Sequence, residues 1–346
     1  MSDKNNRESH PVVAVFGAAG HTGRFVVGEL LRRGIMPIAI ARNSVALAEA
    51  NLSSSQVLHR QATVDNQESL DKALAGAHVV INCAGPFLET ADAVTAAAIR
   101  AGIHYLDLSA EQASTVAVFD KYGDAARKAG IAVVPAMGFY GGFQDLLVTA
   151  ALGDWDHADT IDIMIGLDSW HPTRGTRITG QKNTARRQVI SEGQLVPVTL
   201  PAVERPWEFD DPLGSQVMVE VPFSEIVLIA RHVRTAELHT YLNRIALGDV
   251  RNPATPPPKA ADATRRSAQR FIVDVVARRQ GMSRRIRARG RDIYAFSAPL
   301  ICEVAVRLVE GRFGGAGAQP PGAIFDAQEI LSAFTPEHLT FEITAA

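Results

Sequence analysis

The sequence feature that most constrains the fold is a set of three glycines spaced three residues apart, directly after a short apolar run. The stretch VVAVFGAAGHTG over residues 12–23 places them at Gly17, Gly20 and Gly23. In a dinucleotide-binding fold the first glycine permits a tight turn, the second lets backbone approach a pyrophosphate, and the third lets the following helix pack closely on the sheet. The pattern predicts a nucleotide site. The alternative is a strand–helix corner that holds no ligand.

Strand-like and helix-like segments alternate through the first 150 residues. Residues 22–33 have helical periodicity, residues 36–41 are a second apolar run, and DNQE at Asp65–Glu68 matches a capping box that would begin a helix. HVVINCAG, IHYLDLS and GIAVVPAMG repeat the plan of an apolar run with a small or polar tip. This alternation predicts an α/β fold, a Rossmann doubly wound parallel sheet with ligands at the carboxyl ends of its strands.

The pattern changes near residue 151. TIDIMIGLDSW, SQVMVEV, EIVLIA, RFIVDVVA and SRRIRARG read as strands without a helix between each pair, and FDAQEILSAF reads as a helix. We therefore predict a disordered N-terminus (1–10), a Rossmann domain (11–150) and an α+β domain on a mixed or antiparallel sheet for substrate binding or dimerisation (151–312). The tail, 313–346, is a candidate to complete the Rossmann domain.

The end of the second predicted strand indicates which dinucleotide binds. A carboxylate at this place would hold the ribose 2′-hydroxyl of NAD, but the sequence has Arg42 and Asn43 instead. An arginine suits the 2′-phosphate of NADP because its planar fork makes charge-assisted hydrogen bonds to phosphate oxygens. The sequence therefore favours NADP(H) over NAD(H), the alternative being an ordinary solvated arginine.

A further strand tip, INCAGPF, supplies small residues beside the expected cofactor. Cys83, Ala84 and Gly85 leave room for the nicotinamide-side ribose and phosphate, and Pro86 fixes the turn. With no partner of the Cys–His kind beside it, Cys83 is interpreted as a small buried thiol rather than a nucleophile.

Composition excludes several classes of protein. The 346 residues carry a formal net charge of −2, which argues against a general nucleic-acid binder or a polybasic membrane anchor. We expect no spanning helix and no signal peptide, because apolar runs are short and the first ten residues are polar. The two cysteines do not suggest a disulfide scaffold. The expected location is the cytoplasm.

Other chemistries lose support because their motifs are missing from the sequence. No tyrosine has a lysine four residues later, as short-chain dehydrogenases require. There is no H-E-x-x-H, C-x-x-C or P-loop motif, so we expect no metal, no thiol exchange and no P-loop chemistry. His232 and His239, with Glu237 between them, are interpreted as scattered surface or core histidines.

The chain resembles the saccharopine dehydrogenase-like oxidoreductases. The resemblance is carried by the glycine loop, the end of the second predicted strand at Arg42 and Asn43, INCAGPF, YLDLSAE and PAMGFYGGFQDLL. A weaker likeness continues in RGTRIT, FSEIVLIARHV and GRDIYAFSAPL. The resemblance implies a Rossmann domain, an α+β domain with an open sheet, a nicotinamide cofactor, commonly NADP(H), and a homodimer. It places cofactor contacts on Ala19, Gly20, His21 and Thr22, on Arg42, and on Cys83, Ala84, Gly85 and Pro86.

Reduction of a C=N or C=C bond often needs an acid near the hydride acceptor. Tyr140 is the catalytic candidate, its alternative being a tyrosine that lines the interdomain cleft. Ser109, Glu111 and Gln144 are candidates for substrate binding. Asp145 is interpreted as a helix N-cap and Asp107 as a residue that fixes a loop.

Residues 265–291 carry many arginines, and Arg285, Arg287 and Arg289 alternate, so they would share one face of a strand. Capture of an anionic substrate or carrier is one interpretation. The favoured one is a solvated or interface face paired with acidic groups.

Taken together, the sequence predicts an NADPH-dependent reductase that transfers hydride to an activated C=N or C=C bond of a small-molecule or carrier-bound substrate. The alternative is a non-catalytic NADP(H)-binding regulatory protein. A third hypothesis is an isomerisation in which bound NADP is recycled.

Overall fold

The computed structural model describes residues 11–50, 52 and 55–345. The predicted disorder over residues 1–10 lies outside the described residues. Within them the chain builds two sheets joined by a continuous apolar core. The predicted fold class, a Rossmann-like parallel sheet followed by a second mixed sheet, is confirmed.

The first sheet is parallel and contains seven strands in the described chain. They are β1 (Val12–Phe16), β2 (Met36–Ala41), β3 (Leu58–Gln61), β4 (Val79–Asn82), β5 (His104–Asp107), β6 (Ala132–Val134) and, from much later in the chain, β15 (Gly317–Ala318). Their spatial order is β15-β6-β5-β4-β1-β2-β3. The order reverses between β1 and β4, which is where dinucleotides bind in such folds.

Helices connect these strands and cover both faces of the sheet. They are α1 (His21–Arg32), α2 (Ser44–Glu49), α3 (Gln67–Leu74), α4 (Phe87–Ala101) and α5 (Gln112–Ala129). The side chains of Val13 and Val15 enter one apolar cluster, and those of Ala14 and Phe16 enter another. A strand buried on both faces needs a continuous apolar run, which is what the sequence of β1 supplies.

The second half begins with α6 (Gln144–Leu152) and builds the second sheet. Its strands are β7 (His157–Leu167), β8 (Gln188–Ser191), β9 (Gln194–Pro197), β10 (Glu204–Glu208), β11 (Ser215–Glu220), β12 (Arg234–Asn243), β13 (Arg270–Arg279), β14 (Met282–Arg291) and β16 (Leu339–Ala345). The main path runs β10-β11-β12-β7-β13-β14-β16, and β8 and β9 form a hairpin beside β12. Only the pair β12–β7 on that path is parallel.

The remaining helices all lie in the second half of the chain. They are α7 (Arg174–Lys182), α8 (Glu225–Ile229), α9 (Arg244–Arg251), α10 (Ile293–Val309), α11 (Pro321–Ile324) and α12 (Ala327–Ser332). α10 follows the last long strand of the second sheet but packs on α1 of the first domain. Arg33 beyond α1 pairs with Glu303 on α10 at 2.6 Å. The tail then contributes β15 to the first sheet and β16 to the second.

Two local predictions were wrong. EIVLIA was expected to be a strand but forms the short helix α8, in which all five residues are buried. The predicted capping box at Asp65–Glu68 is displaced by one residue, because Asn66 is the N-cap of α3 and its Oδ1 accepts from Ser69 N at 2.9 Å. Among the described residues no helix is both long and apolar enough to span a bilayer.

Candidate active site

The glycine loop is compact because each of its three glycines is approached by backbone. Gly17 has a φ of 81°, and a side chain there would lie 2.9 Å from the backbone nitrogen of Ala84. Gly20 N donates to Gly17 O at 2.9 Å. A Cβ on Gly23 would come within 2.3 Å of the same oxygen, so only glycine lets α1 begin this close to β1.

The first turn of α1 fits a bound phosphate. Its N-cap is Gly20, and no side chain caps the helix. No acidic residue lies in that turn, so the N–H groups and the positive end of the helix dipole are available to an anion. Ala19, His21 and Thr22 are half-buried around this turn. The ring of His21 packs edge-on against Tyr294 of α10 at 5.5 Å.

Arg42 and Asn43, the two predicted contacts after β2, have different environments. Arg42 is exposed, and within the described chain its guanidinium makes no hydrogen bond or ion pair. The Asn43 side chain is engaged differently, since its Oδ1 caps α2 by accepting from Ala46 N at 2.8 Å. Of the two, Arg42 is therefore the residue whose side chain is free for a 2′-phosphate.

The tip of β4 lies beside the glycine loop, as expected from the sheet order. Cys83 N donates to Phe16 O at 2.8 Å, and Ala84 N donates to the side chain of Asn82 at 3.0 Å. Cys83 is half-buried at the cavity rather than fully buried, and desolvation raises the pKa of its thiol, which makes it a poor nucleophile. A Cβ on Gly85 would lie 3.0 Å from Thr179 Oγ1 of α7, so the second domain closes over this tip. Pro86 is the N-cap residue of α4.

The tip of β5 carries the predicted acidic residues. Asp107 is buried and fixes the loop as predicted, since its carboxylate accepts from Ser109 N and Ala136 N at 2.8 Å each. Ser109 is also buried, and its Oγ accepts from Glu111 N at 3.1 Å. Glu111 lines the cavity described below. One of its carboxylate oxygens accepts from Phe87 N at 2.7 Å, and the other has no partner in the described chain.

The environment of Glu111 favours its neutral form. Burial raises the pKa of its carboxyl group, although the backbone N–H groups of Phe87 and Leu88 oppose that change. A carboxyl group held in this way can carry a proton at a higher pH than an exposed one.

Tyr140 lies in the irregular turn Phe139–Phe143 that follows β6. Its ring stacks on Trp170 at 5.1 Å and packs against Phe223 at 4.2 Å between ring centroids. Its hydroxyl is buried without a hydrogen-bond partner in the described chain. Burial, with smaller contributions from Tyr294 and Glu225, raises the pKa of the phenol, so Tyr140 stays protonated.

The first two residues of α6, which follow this turn, do not line the cavity. Gln144 is fully buried, and its Oε1 accepts from Gly141 N at 3.0 Å, so it holds the turn rather than facing a ligand. Asp145 is not the N-cap of α6, contrary to the prediction, because that place belongs to Phe143. Its carboxylate instead accepts from His232 Nε2 at 2.6 Å and from Gly322 N at 2.7 Å.

Five of the predicted site residues line a cavity of about 740 Å³ between the two domains. The other predicted cofactor contacts lie outside this lining: Gly17, Ala19, Gly20, His21, Gly23, Arg42, Asn43, Ala84 and Pro86. From the first domain the cavity is lined by Thr22, Cys83, Gly85, Glu111 and Tyr140. The second domain closes it with Trp170, with α7 and with Tyr294 at the start of α10. The structure does not bring Ser109 or Gln144 to this cavity. The carboxyl ends of the strands therefore border a cavity whose volume is typical of small-molecule binding sites.

Sequence reasoning missed several residues of this chamber. Tyr294 accepts from Trp170 Nε1 at 2.9 Å and bonds Thr176 Oγ1 at 2.9 Å, which ties α7 to α10. Four arginines of the second domain also line the cavity: Arg177, Arg186, Arg187 and Arg251. None lies in the arginine-rich run, and only Arg177, in RGTRIT, falls in a segment that carried the family resemblance. Tyr294 did lie in GRDIYAFSAPL, one of the segments that carried the family resemblance.

The arginines of β14 are paired within the protein, as the favoured interpretation held. Asp274 accepts from Arg285 and from Arg287, with a distance of 2.6 Å to Arg287 Nε. Asp210 pairs with Arg287 and Arg289. These residues lie on β13, on β14 and after β10, away from the cavity lining.

Comparisons with known proteins agree with this geometry. Residues 13–137 match the family model described as the saccharopine dehydrogenase NADP binding domain. This part of the chain is therefore similar to a saccharopine dehydrogenase NADP-binding domain, and the resemblance drawn from the sequence is confirmed.

Two curated relatives show how far the likeness extends. A Caenorhabditis elegans protein named lipid droplet localized protein is 26% identical over 268 residues, which cover 66% of this chain and 63% of that protein. A Bos taurus saccharopine dehydrogenase-like oxidoreductase is 30% identical over 146 residues, 37% of this chain and 34% of that protein. The chain thus spans between about a third and just under two thirds of these relatives.

The fold of the whole chain also has a solved counterpart. Saccharopine dehydrogenase (L-Glu forming) from Saccharomyces cerevisiae, in its apo form, superposes with a TM-score of 0.67 over 96% of this chain and 100% of that chain. The sequence identity is 12%, so this likeness establishes the fold of both domains.

Proposed function

We propose that this protein is an NADPH-dependent oxidoreductase that transfers hydride to an activated C=N or C=C bond of a small-molecule or carrier-bound substrate. The observation that carries the proposal is the cavity of about 740 Å³, which extends from the glycine-loop helix and the β4 tip to the unpartnered groups of Tyr140 and Glu111. The NADP-binding family of residues 13–137 supports the same cofactor.

Each end of the cofactor has fitting residues in the first domain. The free N–H groups at the start of α1 would hold the pyrophosphate, and Arg42 the 2′-phosphate. Cys83, Ala84 and Gly85 would border the nicotinamide side, because they follow β4 at the point where the strand order reverses. When bound, the nicotinamide supplies the hydride.

The protein itself would supply the proton that the reduction also needs. Tyr140 is held protonated by its burial, and its hydroxyl has no partner among the described residues that would compete with a substrate atom. Glu111 is the second proton source in the same cavity. The rings of Trp170 and Phe223 pack against Tyr140, and such apolar surroundings strengthen the hydrogen bonds made there.

A fluorescence titration with NADPH and NADH tests the cofactor assignment. We expect NADPH to bind at least about tenfold more tightly, since a charge-assisted contact to phosphate contributes about 1.5–3 kcal/mol. Arg42→Ala should abolish this preference, and Lys72→Ala, which removes another exposed positive charge from the first domain, should retain it. If neither nucleotide binds, the glycine loop is a strand–helix turn without a ligand, and the proposal fails.

Turnover separates an enzyme from a regulatory protein. Consumption of NADPH should be followed with enones, preformed imines, and 2-oxo acids mixed with amines. Oxidation with any of these supports hydride transfer and identifies the bond that accepts it. Tight NADPH binding without consumption across the panel would instead favour the regulatory role.

We further propose that the protein is a cytoplasmic homodimer, as the resemblance implies for assembly. Light scattering of the purified chain tests the dimer. Imaging of the tagged chain beside a lipid-droplet marker tests the location, because the C. elegans relative is named for that structure.

A further inference from the structure

The four arginines of the cavity differ from most other arginines of the protein in having no carboxylate partner. Arg187 Nη1 donates to the carbonyl of Pro222 at 2.6 Å, and Arg186 and Arg177 also donate to backbone carbonyls. No ion pair within 4.0 Å joins any of the four, Arg251 included, to an acidic group of the described residues. By contrast, Arg285, Arg287 and Arg289 on the other side of the second domain are all ion-paired.

The acidic groups of the same cavity do not neutralise these arginines. Glu111 and Glu220 are the carboxylates that line it. Glu111 accepts from the backbone of α4, and Glu220 accepts from His239 Nδ1 at 2.6 Å. The lining therefore carries four guanidinium groups and two carboxylates. Each carboxylate accepts a hydrogen bond from another group and forms no ion pair with the four arginines, so this side of the chamber is positively charged.

Arg187 is the most constrained of the four. It is half-buried, and its guanidinium lies over the ring of Phe223 at 4.6 Å from the centroid. Burial lowers the pKa of Arg187, although the charge of Glu225 opposes this. A cation that is partly removed from water and lacks an ion-pair partner is unfavourable in the free protein. An anion in the cavity would relieve that cost.

Much of the remaining surface of the chamber is apolar. Aromatic and aliphatic side chains line it, among them Phe87, Leu108, Trp170, Val198, Phe223 and Leu247. These side chains offer no hydrogen bonds to a polar body, and they favour a ligand whose own surface is apolar. A small ligand with polar groups along its whole length would leave this surface unmatched.

From the four arginines and the apolar side chains of the chamber we infer that the substrate is an amphipathic anion. The arginines would bind its carboxylate or phosphate, and its apolar body would lie along the aromatic side chains. This inference rests on the proposed function, because it describes the substrate of the same cavity. The inference can still be tested separately from the proposed function, because binding of the anion requires no hydride transfer.

Decanoate and decyl phosphate are suitable probes, because they share the apolar body and differ in the anionic group. Their binding to the full chain, with and without NADPH, should be followed by calorimetry and by intrinsic tryptophan fluorescence, to which Trp170 in the cavity contributes. Decylamine and glutarate are the comparison ligands, the first with the opposite charge and the second without the apolar body. We expect at least one of the decyl anions to bind tenfold or more tightly than either.

Variants of the cavity arginines test whether these residues bind the anionic group of the ligand. Arg187→Gln and Arg251→Gln should each weaken binding of the preferred decyl anion, and the double variant should weaken it at least tenfold. Arg270→Gln is the matched control, because Arg270 is exposed on β13 and does not line the cavity. Thermal unfolding of each variant confirms that it is folded, and Arg187→Lys should retain more affinity than Arg187→Gln.

The possible outcomes separate this inference from the proposed function. Decyl anion binding that depends on the arginines supports the inference even if no turnover is found. Equal binding of decylamine, preference for glutarate, or unchanged affinity in the double variant overturns it, and NADPH binding and turnover remain unaffected by that result. If the double variant loses affinity for NADPH but not for decanoate, the arginines serve the cofactor and the inference is overturned.

Discussion

The carboxylate of Asp145 accepts a hydrogen bond from His232 Nε2 at 2.6 Å, and its other oxygen accepts from Gly322 N at 2.7 Å. Asp145 is fully buried on α6, His232 precedes β12, and Gly322 lies on α11. A Cβ on Gly322 would come within 2.7 Å of the His232 ring. One carboxylate thus ties together three segments that are distant in sequence.

This pair makes stability depend on pH. Burial alone would lower the pKa of His232, but Asp145 outweighs burial and raises it. Because the folded-state pKa lies above the ordinary value of 6.5, the stabilisation is complete below about pH 6.5 and is lost as the pH rises through the folded-state value. His232→Gln should therefore reduce the free energy of unfolding by about 1 kcal/mol at pH 5.5 and by less at alkaline pH.

Urea unfolding of wild type and His232→Gln between pH 5.5 and 9 measures the effect. His59→Gln is the control, since His59 is exposed and its ring Nε2 lies 3.2 Å from the carbonyl of Leu52, with no carboxylate partner among the described residues. A difference between wild type and His232→Gln that stays constant across this range would contradict the prediction.

The glycines of α1 allow a comparison within one helix. Gly23→Ala would bring Cβ to 2.3 Å from Gly17 O, so we expect a loss of about 1–3 kcal/mol in unfolding free energy together with weaker NADPH binding. Gly28→Ala meets nothing within 4 Å and should stabilise the protein by about 0.5–1 kcal/mol, with unchanged NADPH affinity. Thermal melts and titrations of both variants check this. Equal behaviour of the two would show that close packing of α1 on the sheet is unimportant.

Tyr140 and Tyr294 should respond in opposite ways to loss of the hydroxyl. Tyr140→Phe removes a buried hydroxyl that has no partner, so stability should be unchanged or higher, whereas kcat should fall by about 10²–10⁴. Tyr294→Phe leaves Trp170 Nε1 without its acceptor and should cost about 1–3 kcal/mol of stability. Melting curves and single-turnover rates on whichever substrate the panel identifies provide the measurement. Full activity of Tyr140→Phe would remove Tyr140 from the mechanism.

The second sheet depends on one buried carboxylate. Asp274 is fully buried and holds Arg287 at 2.6 Å and Trp207 Nε1 at 2.9 Å. Asp274→Ala should lower the free energy of unfolding by about 3–5 kcal/mol, because it leaves Arg285 without its ion-pair partner and the buried Arg287 with Asp210 alone. Asp156→Ala breaks exposed ion pairs only and should cost far less. Chemical denaturation distinguishes the two, and similar losses would argue against a special role for Asp274.

The sequence predicted the first domain well because its signals are local. A glycine loop must sit between one strand and one helix, and β1 must be apolar to be buried on both faces. The same reasoning located Arg42, Cys83 and Glu111, since each follows a strand whose tip lies at the ligand edge of the sheet.

The errors have a different physical origin. EIVLIA is buried on every side, so it has no polar face that would reveal a helical period, and tertiary packing decided its structure. Asp145 resembled an N-cap because it begins a helical stretch, but its partners, His232 and Gly322, lie 87 and 177 residues further along the chain. The arginines of the cavity come from α7, the following loop and α9, and only the assembled second domain brings them together.

The path of the chain after β14 limits how this protein could be divided. α10 leaves the second sheet to pack on α1, β15 then joins the first sheet, and β16 returns to the second. A single junction near residue 150 would therefore deprive the first domain of a strand and of the helix that covers α1. Exchange of substrate specificity between such proteins by recombination would require at least two crossovers, with the second sheet exchanged as an internal insert.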